Sequence, residues 1–436
     1  MKIHFIGIGG IGLSGLARFL HFEGYEISGS DMYESPIIDS LRKIGIKVDA
    51  PQKKENIKDQ DIIIYSAAIK SSNVELKEAK KRGIKTLSRR EALPLVLRGK
   101  RVYSVAGAHG KSTTSAILAS ILKDANAIIG AISKDFNSNV RYNPNSNLLV
   151  FEADESDASF LNSNPYVGIV TNSEPEHMEF YNHNLELFYD TYKEFLKISK
   201  IRVINEDDQF LKNIDLEAIR LDPKKDIKIK KEFLIDDEPY IRFELRDFGE
   251  FDVWGFGEHI ALDASLAILS AMNEIGLDEI KENLKNYRGI KKRFDIIQKE
   301  ESLIVIDDYA HHPTEIKATM RSLKEYARLK GIEDIVVIWQ PHKYSRTIDN
   351  LNRFVECFKG STKLIILPVW SAGEKEIKID FKKHFKRYDP LFVDFLKNDN
   401  KNILLFKDKS KIAKLSKGLV VGFGAGDITY QLRGLK

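Results

Sequence analysis

The chain has 436 residues, 43% of them hydrophobic and 30% charged, which is the make-up of a globular protein of two to four domains. Its 68 basic and 64 acidic residues leave a net charge of +4, so electrostatics give a nucleic-acid partner no support. No run approaches the ~20 apolar residues that a membrane span needs, and the N-terminus MKIHFIGIGG reads as a strand and turn, not as a signal peptide.

Three α/β blocks follow one another. The first, residues 1–98, opens on HFIGIG, an apolar run ending in glycines. A helical pattern comes next (Leu13, Leu16, Ala17, Leu20), then a second strand ending at Asp31. IIIYSA after Asp61 reads as another buried strand, and Glu75 to Arg82 as a charged helix. The second block, residues 99–289, begins with the strand RVYSVAG from Arg101 and a helix from Ser112 to Leu122. LLVFEA from Leu148 and YVGIVTN from Tyr166 are further strands. Residues 226–254 alternate apolar and polar side chains between turn signals, which predicts an antiparallel addition. Helices from Ala261 to Ile275 and Leu277 to Leu284 close the block. The third block, residues 290–436, has strands at LIVIDDYA, IVVIW and KLIILPV, a helix from Pro313 to Leu329, and GLVVGFGAGD from Gly418 to end the sheet. Alternating strand and helix imply parallel sheets covered on both faces, with ligands at the carboxyl ends of the strands. The only cysteine, Cys357, excludes an internal disulfide, fits a reducing cytoplasm and sits in a helical pattern that suits packing.

Two glycine loops carry the chemistry. Gly7-Ile8-Gly9-Gly10-Ile11-Gly12 fits G-x-G-x-x-G between a strand and a helix. Such glycines let backbone approach a pyrophosphate, and an acid such as Asp31 can bind a ribose hydroxyl. The loop alone does not choose between NAD and another nucleotide diphosphate such as a UDP-sugar. Gly107-Ala108-His109-Gly110-Lys111-Ser112-Thr113 is the second loop. Its amides can point at phosphate oxygens, Lys111 can reach the β- and γ-phosphates, and Ser112 or Thr113 can ligate Mg²⁺. Val105 stands where the longest form of the pattern has glycine. Glu152, Asp154, Glu155 and Asp157 cluster after the next strand, where Glu152 should share a sheet edge with Lys111. His177 lies in a polar loop after a further strand. A solvated acidic turn is the plainer account of that cluster, and it loses ground on this placement.

HFIGIGGIGLSGLA, SGSD, SAAI with Asn73 and Glu75, SRREAL, GAHGKSTT, EADESDASFL, TNSEPEHMEFY, DDYAHHPTEIKAT, WQPHKYSRT and GAGDI occur in order along the chain. In this the sequence resembles the Mur ligases of peptidoglycan synthesis over its whole length, most closely those that add L-alanine to UDP-N-acetylmuramate. The resemblance implies a UDP-substrate domain, a central ATPase domain and a C-terminal Rossmann-like domain. It implies that Gly9, Gly10, Ile11 and Gly12, with Asp31 and Ser66, hold the UDP pyrophosphate and its surroundings, not NAD. ATP would lie on residues 107–113, with His259 and Asp263 at the adenine end. Ser112, Thr113, Glu152 and His177 would hold Mg²⁺, two ions in all. Arg293 would approach the γ-phosphate on domain closure, and Asp308, Tyr309 and His311 would line the ATP and muramyl side. His342 and Arg346 would orient the amino acid, with His342 a candidate proton acceptor.

The reaction so implied is phosphorylation of the lactyl carboxylate and attack of the L-alanine amine on the acyl phosphate. Three departures stand out: Ile260 and Asp263 where the family has asparagines, Lys343 where it has arginine, and Pro368-Val369-Trp370 in place of an Asp-Val-Tyr sequence. Alternative readings are a ligase that recycles a preformed tripeptide, an NAD-dependent dehydrogenase, which leaves the second loop unexplained, and a UDP-sugar sensor without catalysis.

Overall fold

A computed structural model describes residues 1–435. Two compact units emerge within it: residues 1–229, 243–253 and 259–288 make one, and residues 230–242, 254–258 and 289–435 the other.

The first unit holds two parallel sheets. Five strands run in the order Lys47–Asp49, Glu26–Ser30, Lys2–Ile6, Ile62–Tyr65, Lys85–Ser88, all parallel. This order reverses direction beside Lys2–Ile6, so the glycine loop after Ile6 opens at the switch point of the sheet, where ligands bind. The second sheet has seven strands, in the order Ile219–Leu221, Ile201–Asn205, Pro165–Val170, Arg101–Ala106, Leu148–Glu152, Asn126–Ser133, Ser138–Arg141. Only the last pair is antiparallel. Arg101–Ala106 is central, so the loop that follows it is flanked by the ends of Pro165–Val170 and Leu148–Glu152. One apolar core runs through both sheets: Leu16 and Leu20 of helix Ile11–Phe22 share it with Ile128 and Val140. Asn139 Nδ2 donates to Ile11 O at 2.9 Å, fixing the start of that helix to the second sheet.

Residues 227–254 form three strands, Ile227–Ile235, Glu238–Leu245 and Glu250–Trp254, adjacent in that order. The connections are short hairpins, which only antiparallel neighbours allow, as the alternating pattern predicts.

The second unit's main sheet runs Asp295–Lys299, Leu303–Asp308, Gly418–Phe423, Ile335–Trp339, Lys363–Ile366, Leu391–Phe392. Gly418–Phe423 is the last strand of the chain but lies in the middle of the sheet, between Leu303–Asp308 and Ile335–Trp339. It is therefore not an end strand. A separate antiparallel meander, Phe395–Asn398, Ile403–Lys407 and Ser410–Leu415, precedes it and lay outside the sequence reading. Cys357 packs as expected: it is buried, its Sγ donates to Pro313 O at 3.2 Å, and burial pushes its thiol pKa up to about 11. Among the described residues no helix is long and apolar enough to cross a membrane.

Candidate active site

At the first loop, Gly7 has φ +83°, which a side chain would strain. Gly7 N and Ile8 N donate to Ser30 O at 2.8 and 3.1 Å. Gly9 N donates to Asp31 Oδ2 at 2.8 Å, so Asp31 bonds the loop itself. Ser66 lies beside Gly7: a Cβ on that glycine would come within 3.2 Å of Ser66 Cβ. Helix Ile11–Phe22 starts at Gly10 with no side-chain cap, leaving its first amides for an anion. Gly9, Gly10, Ile11, Gly12, Asp31 and Ser66 are thus gathered at one strand edge. A pocket of about 190 Å³ joins this edge to the second loop, lined by Ile11, Gly12, Arg89, Lys111, Gly130 and Glu152 among others.

The second loop is held from the strand beside it. Thr171 Oγ1 and Asn172 Nδ2 donate to His109 O at 2.5 and 2.8 Å, and His109 N donates to Asn172 Oδ1 at 3.2 Å. His109 Nε2 lies 3.1 Å from Glu174 Oε2. Gly107 and Gly110 have φ +132° and +83°, and Gly110 starts helix Lys111–Ile121 without a side-chain cap. Lys111 Nζ donates to Gly107 O, to Ala108 O at 3.2 Å and to Glu155 Oε1 at 2.9 Å. Ser112 Oγ donates to Glu152 Oε1 at 3.0 Å, and Gly130 N to its other oxygen at 2.6 Å. Glu155, which has no assigned role within the acid cluster on sequence grounds, is the direct partner of Lys111.

The charges around this loop do not cancel. Burial works against the Lys111 ammonium, but Glu155 and Glu152 outweigh it and hold its pKa above the ordinary value. Burial pushes Glu152 and Glu155 up, with Lys111 opposing. Asp154 differs. Burial raises it too, but Arg89, donating to it at 2.7 Å, brings its pKa down to about 2. With Asp154 taken by Arg89, two buried carboxylates share one lysine, and Glu155 Oε2 has no hydrogen-bond partner. A hard divalent cation fits this donor set, because Mg²⁺ takes one or two protein oxygens beside phosphate and water. Thr113 is half-buried on the same first turn. The structure joins Ser112 to Glu152; His177 is exposed, at φ +54°, and makes no side-chain hydrogen bond or ion pair among the described residues. No group of three His, Cys, Asp or Glu forms a closed cage among the described residues.

At the expected adenine end, His259 is exposed on the first turn of helix Glu258–Ala271. Asp263 is buried and lies over the loop, since a Cβ on Gly110 would come within 2.5 Å of its Oδ1.

In the second unit the remaining site residues cluster at the carboxyl ends of Leu303–Asp308 and Ile335–Trp339. Arg293 Nη1 donates to Glu315 Oε1 at 3.1 Å. Burial opposes the Arg293 charge, but Glu315 and Asp308 hold its pKa above the ordinary value. Lys292 and Phe294, on either side, have φ +65° and +43°, a strained setting for non-glycine residues. Asp308 accepts from Phe294 N at 2.9 Å and Ala310 N at 2.8 Å, and burial lifts its pKa to about 6 against the pull of Arg293. His311 Nδ1 lies 3.1 Å from Tyr309 O, and its ring centre 5.5 Å from that of His342. Arg346 Nη1 is 3.2 Å from His342 Nδ1. Burial, then the cations nearby, lower His342 to about 4; burial does the same to His311. Lys343, at φ +66°, is bonded through its amide to Trp370 O at 2.9 Å, so two of the departures noted above are neighbours.

Comparison with known proteins identifies the family. Residues 2–101 match the profile described as Mur ligase family, catalytic domain; residues 105–271 the Mur ligase middle domain; and residues 292–415 the Mur ligase glutamate ligase domain. The chain is 55% identical over 433 residues to a UDP-N-acetylmuramate–L-alanine ligase of Campylobacter curvus, covering 99% of each. It is 54% identical over 435 residues to the Helicobacter pylori protein of that name, covering 99% of this chain and 96% of the relative. The crystal structure of UDP-N-acetylmuramate–alanine ligase from Thermotoga maritima superposes with a TM-score of 0.83 at 26% identity, covering 100% of this chain and 98% of that one. On these matches, the chain belongs to the Mur ligase family.

Proposed function

We infer that the chain joins L-alanine to the lactyl carboxylate of UDP-N-acetylmuramate at the expense of ATP, in peptidoglycan precursor synthesis. One observation carries the reading: full-length identity of 54–55% to relatives named for that reaction. The geometry of both loops supports it.

A carboxylate resists attack by an amine, so it must first be activated. The γ-phosphoryl group of ATP passes to a lactyl carboxylate oxygen and ADP departs. The amine of L-alanine then attacks the acyl carbon, the bond to the phosphate oxygen breaks, and one proton is released. Gly107, Ala108, His109 and Gly110 cradle the phosphates through backbone amides, and Lys111 places a fixed positive charge on them. Ser112 or Thr113, Glu152 and His177 would hold Mg²⁺, which neutralises charge on the transferring group. His259 and Asp263 face the adenosine, and Arg293, with Asp308 behind it, meets the γ-phosphate. Gly9 to Gly12, Asp31 and Ser66 take the UDP portion, with Tyr309 and His311 on its muramyl side. His342 and Arg346 orient L-alanine. At a pKa near 4, His342 is neutral at pH 7 and a weak base, able to pass a proton on but not to keep it. The three domains of this reading are residues 1–98, 99–289 and 290–436, working in the cytoplasm, where ATP is available.

Phosphate release is the test. Protein, Mg²⁺, ATP and UDP-N-acetylmuramate are mixed, and L-alanine, other amino acids or the tripeptide L-alanyl-γ-D-glutamyl-meso-diaminopimelate are added singly. Release that depends on L-alanine supports the reading. Release with the tripeptide alone replaces it with the recycling reaction, and none with any acceptor removes the ligase.

A further inference from the structure

Glu75 has no part in the chemistry above, yet it is fully buried, at 0% exposure, on the first turn of helix Val74–Lys81. A buried carboxylate is costly unless it is bonded. Glu75 is bonded from two other segments, by the Ser30 hydroxyl and, from the turn at 53–56, by Asn56 Nδ2 at 2.6 Å and Lys53 N at 3.1 Å, with His4 Nε2 3.5 Å from Oε2. Asn73 caps the same helix, accepting from Glu75 N at 2.9 Å and Leu76 N at 3.0 Å. Burial opposes the Glu75 charge, but His4, Ser30 and Asn56 hold its pKa below the ordinary value.

The carboxylate fixes Ser30, and Ser30 fixes the glycine loop. Ser30 O receives the amides of Gly7 and Ile8, and the next residue, Asp31, receives that of Gly9. Three successive loop amides are therefore referenced to the end of strand Glu26–Ser30, and that end is tied by its own side chain to Glu75. We propose that Glu75 is a positioning residue for the nucleotide-diphosphate subsite, acting through Ser30 on the conformation of Gly7 to Gly10. This rests on the reading that the loop holds the UDP pyrophosphate. A preorganised loop binds without first being ordered, so loosening the tie raises the cost of binding and leaves phosphoryl transfer alone.

The test uses the full chain, with UDP as the calorimetric probe and steady-state kinetics alongside. E75Q turns one of the two accepting oxygens into a donating amide, so either Ser30 or the Lys53 and Asn56 pair loses its acceptor and the tie is weakened. S30A removes only the tie and leaves Glu75 its other partners. In both, the Kd for UDP and the KM for the sugar nucleotide rise about tenfold, while kcat and the KM for ATP stay within about twofold. Unchanged UDP affinity in folded S30A overturns the proposal, whether or not E75Q folds. So does a rise in the KM for ATP in step with that of the sugar nucleotide, the mark of general loosening. G9A separates this from the underlying reading, because a Cβ there would lie 2.8 Å from Asp31 Oδ2. No loss of UDP affinity in G9A sinks the loop assignment itself. Loss in G9A with normal S30A and E75Q sinks only the role of Glu75.

Discussion

Lys111 and Glu155 form an ion pair of 2.9 Å in which the carboxylate is only 2% exposed and the lysine side chain 16%. Removing Glu155 takes away the carboxylate that bonds the buried ammonium directly and leaves Glu152 to act on it only from a distance. Glu155→Ala is therefore expected to destabilise the chain by about 3 kcal/mol, the lower figure for such a loss. Urea unfolding of both proteins measures it. A difference below about 1 kcal/mol, the range of an exposed pair, would show that Lys111 finds another partner at no cost.

Lys111→Ala removes the charge proposed to meet the phosphates. The acids around it then repel ATP instead of sharing a cation. Turnover should fall on the order of 100- to 1,000-fold, as when a positioned electrostatic donor is lost. UDP binding should stay near the parent value, because the hydrogen bonds of Lys111 go to its own loop and to Glu155, none to the first loop. Phosphate release and UDP calorimetry on one preparation check both halves; turnover close to the parent refutes the assignment.

The glycine loops were legible in the sequence because each lies between an apolar strand and a helix, a purely local pattern. Glu152 was legible for a related reason: it ends a strand, and strand ends in such sheets point to one edge. What holds the second loop was not legible. Arg89 is 65 residues from Asp154, and Thr171 is 62 from His109, and no local periodicity encodes which strands become neighbours. The same blindness placed Gly418–Phe423 last when it is central, since order in the chain is not order in the sheet. The meander of residues 395–415 alternates too weakly among its lysines to stand out from a loop.

Asp263 brings a carboxyl group close to Gly110, on the loop proposed to bind phosphates. Asp263→Asn keeps the shape and removes the repulsion, so the KM for ATP should fall by roughly three- to tenfold, a like-charge term of ordinary size at a few ångströms. Initial rates against ATP at saturating co-substrates measure it. A KM that rises shows instead that the carboxylate is needed as an acceptor.

Asp308 makes stability depend on pH in an unusual direction. An unfolded aspartate has a pKa near 3.9, and burial lifts Asp308 to about 6 in the folded chain. Between about pH 4 and 6 the native state keeps a proton that the unfolded state has released, so stability falls as pH rises through that window. Asp308→Asn cannot titrate. It loses one of the acceptors for Phe294 N and Ala310 N and starts less stable, but the loss with pH should disappear. Urea unfolding of both proteins at pH 4, 5 and 6.5 isolates the term, because the other titrating groups are common to the two. The gap between parent and variant should narrow by on the order of 2 kcal/mol across the series. A gap that is constant with pH would mean that Asp308 is ionised throughout, with Arg293 outweighing its burial.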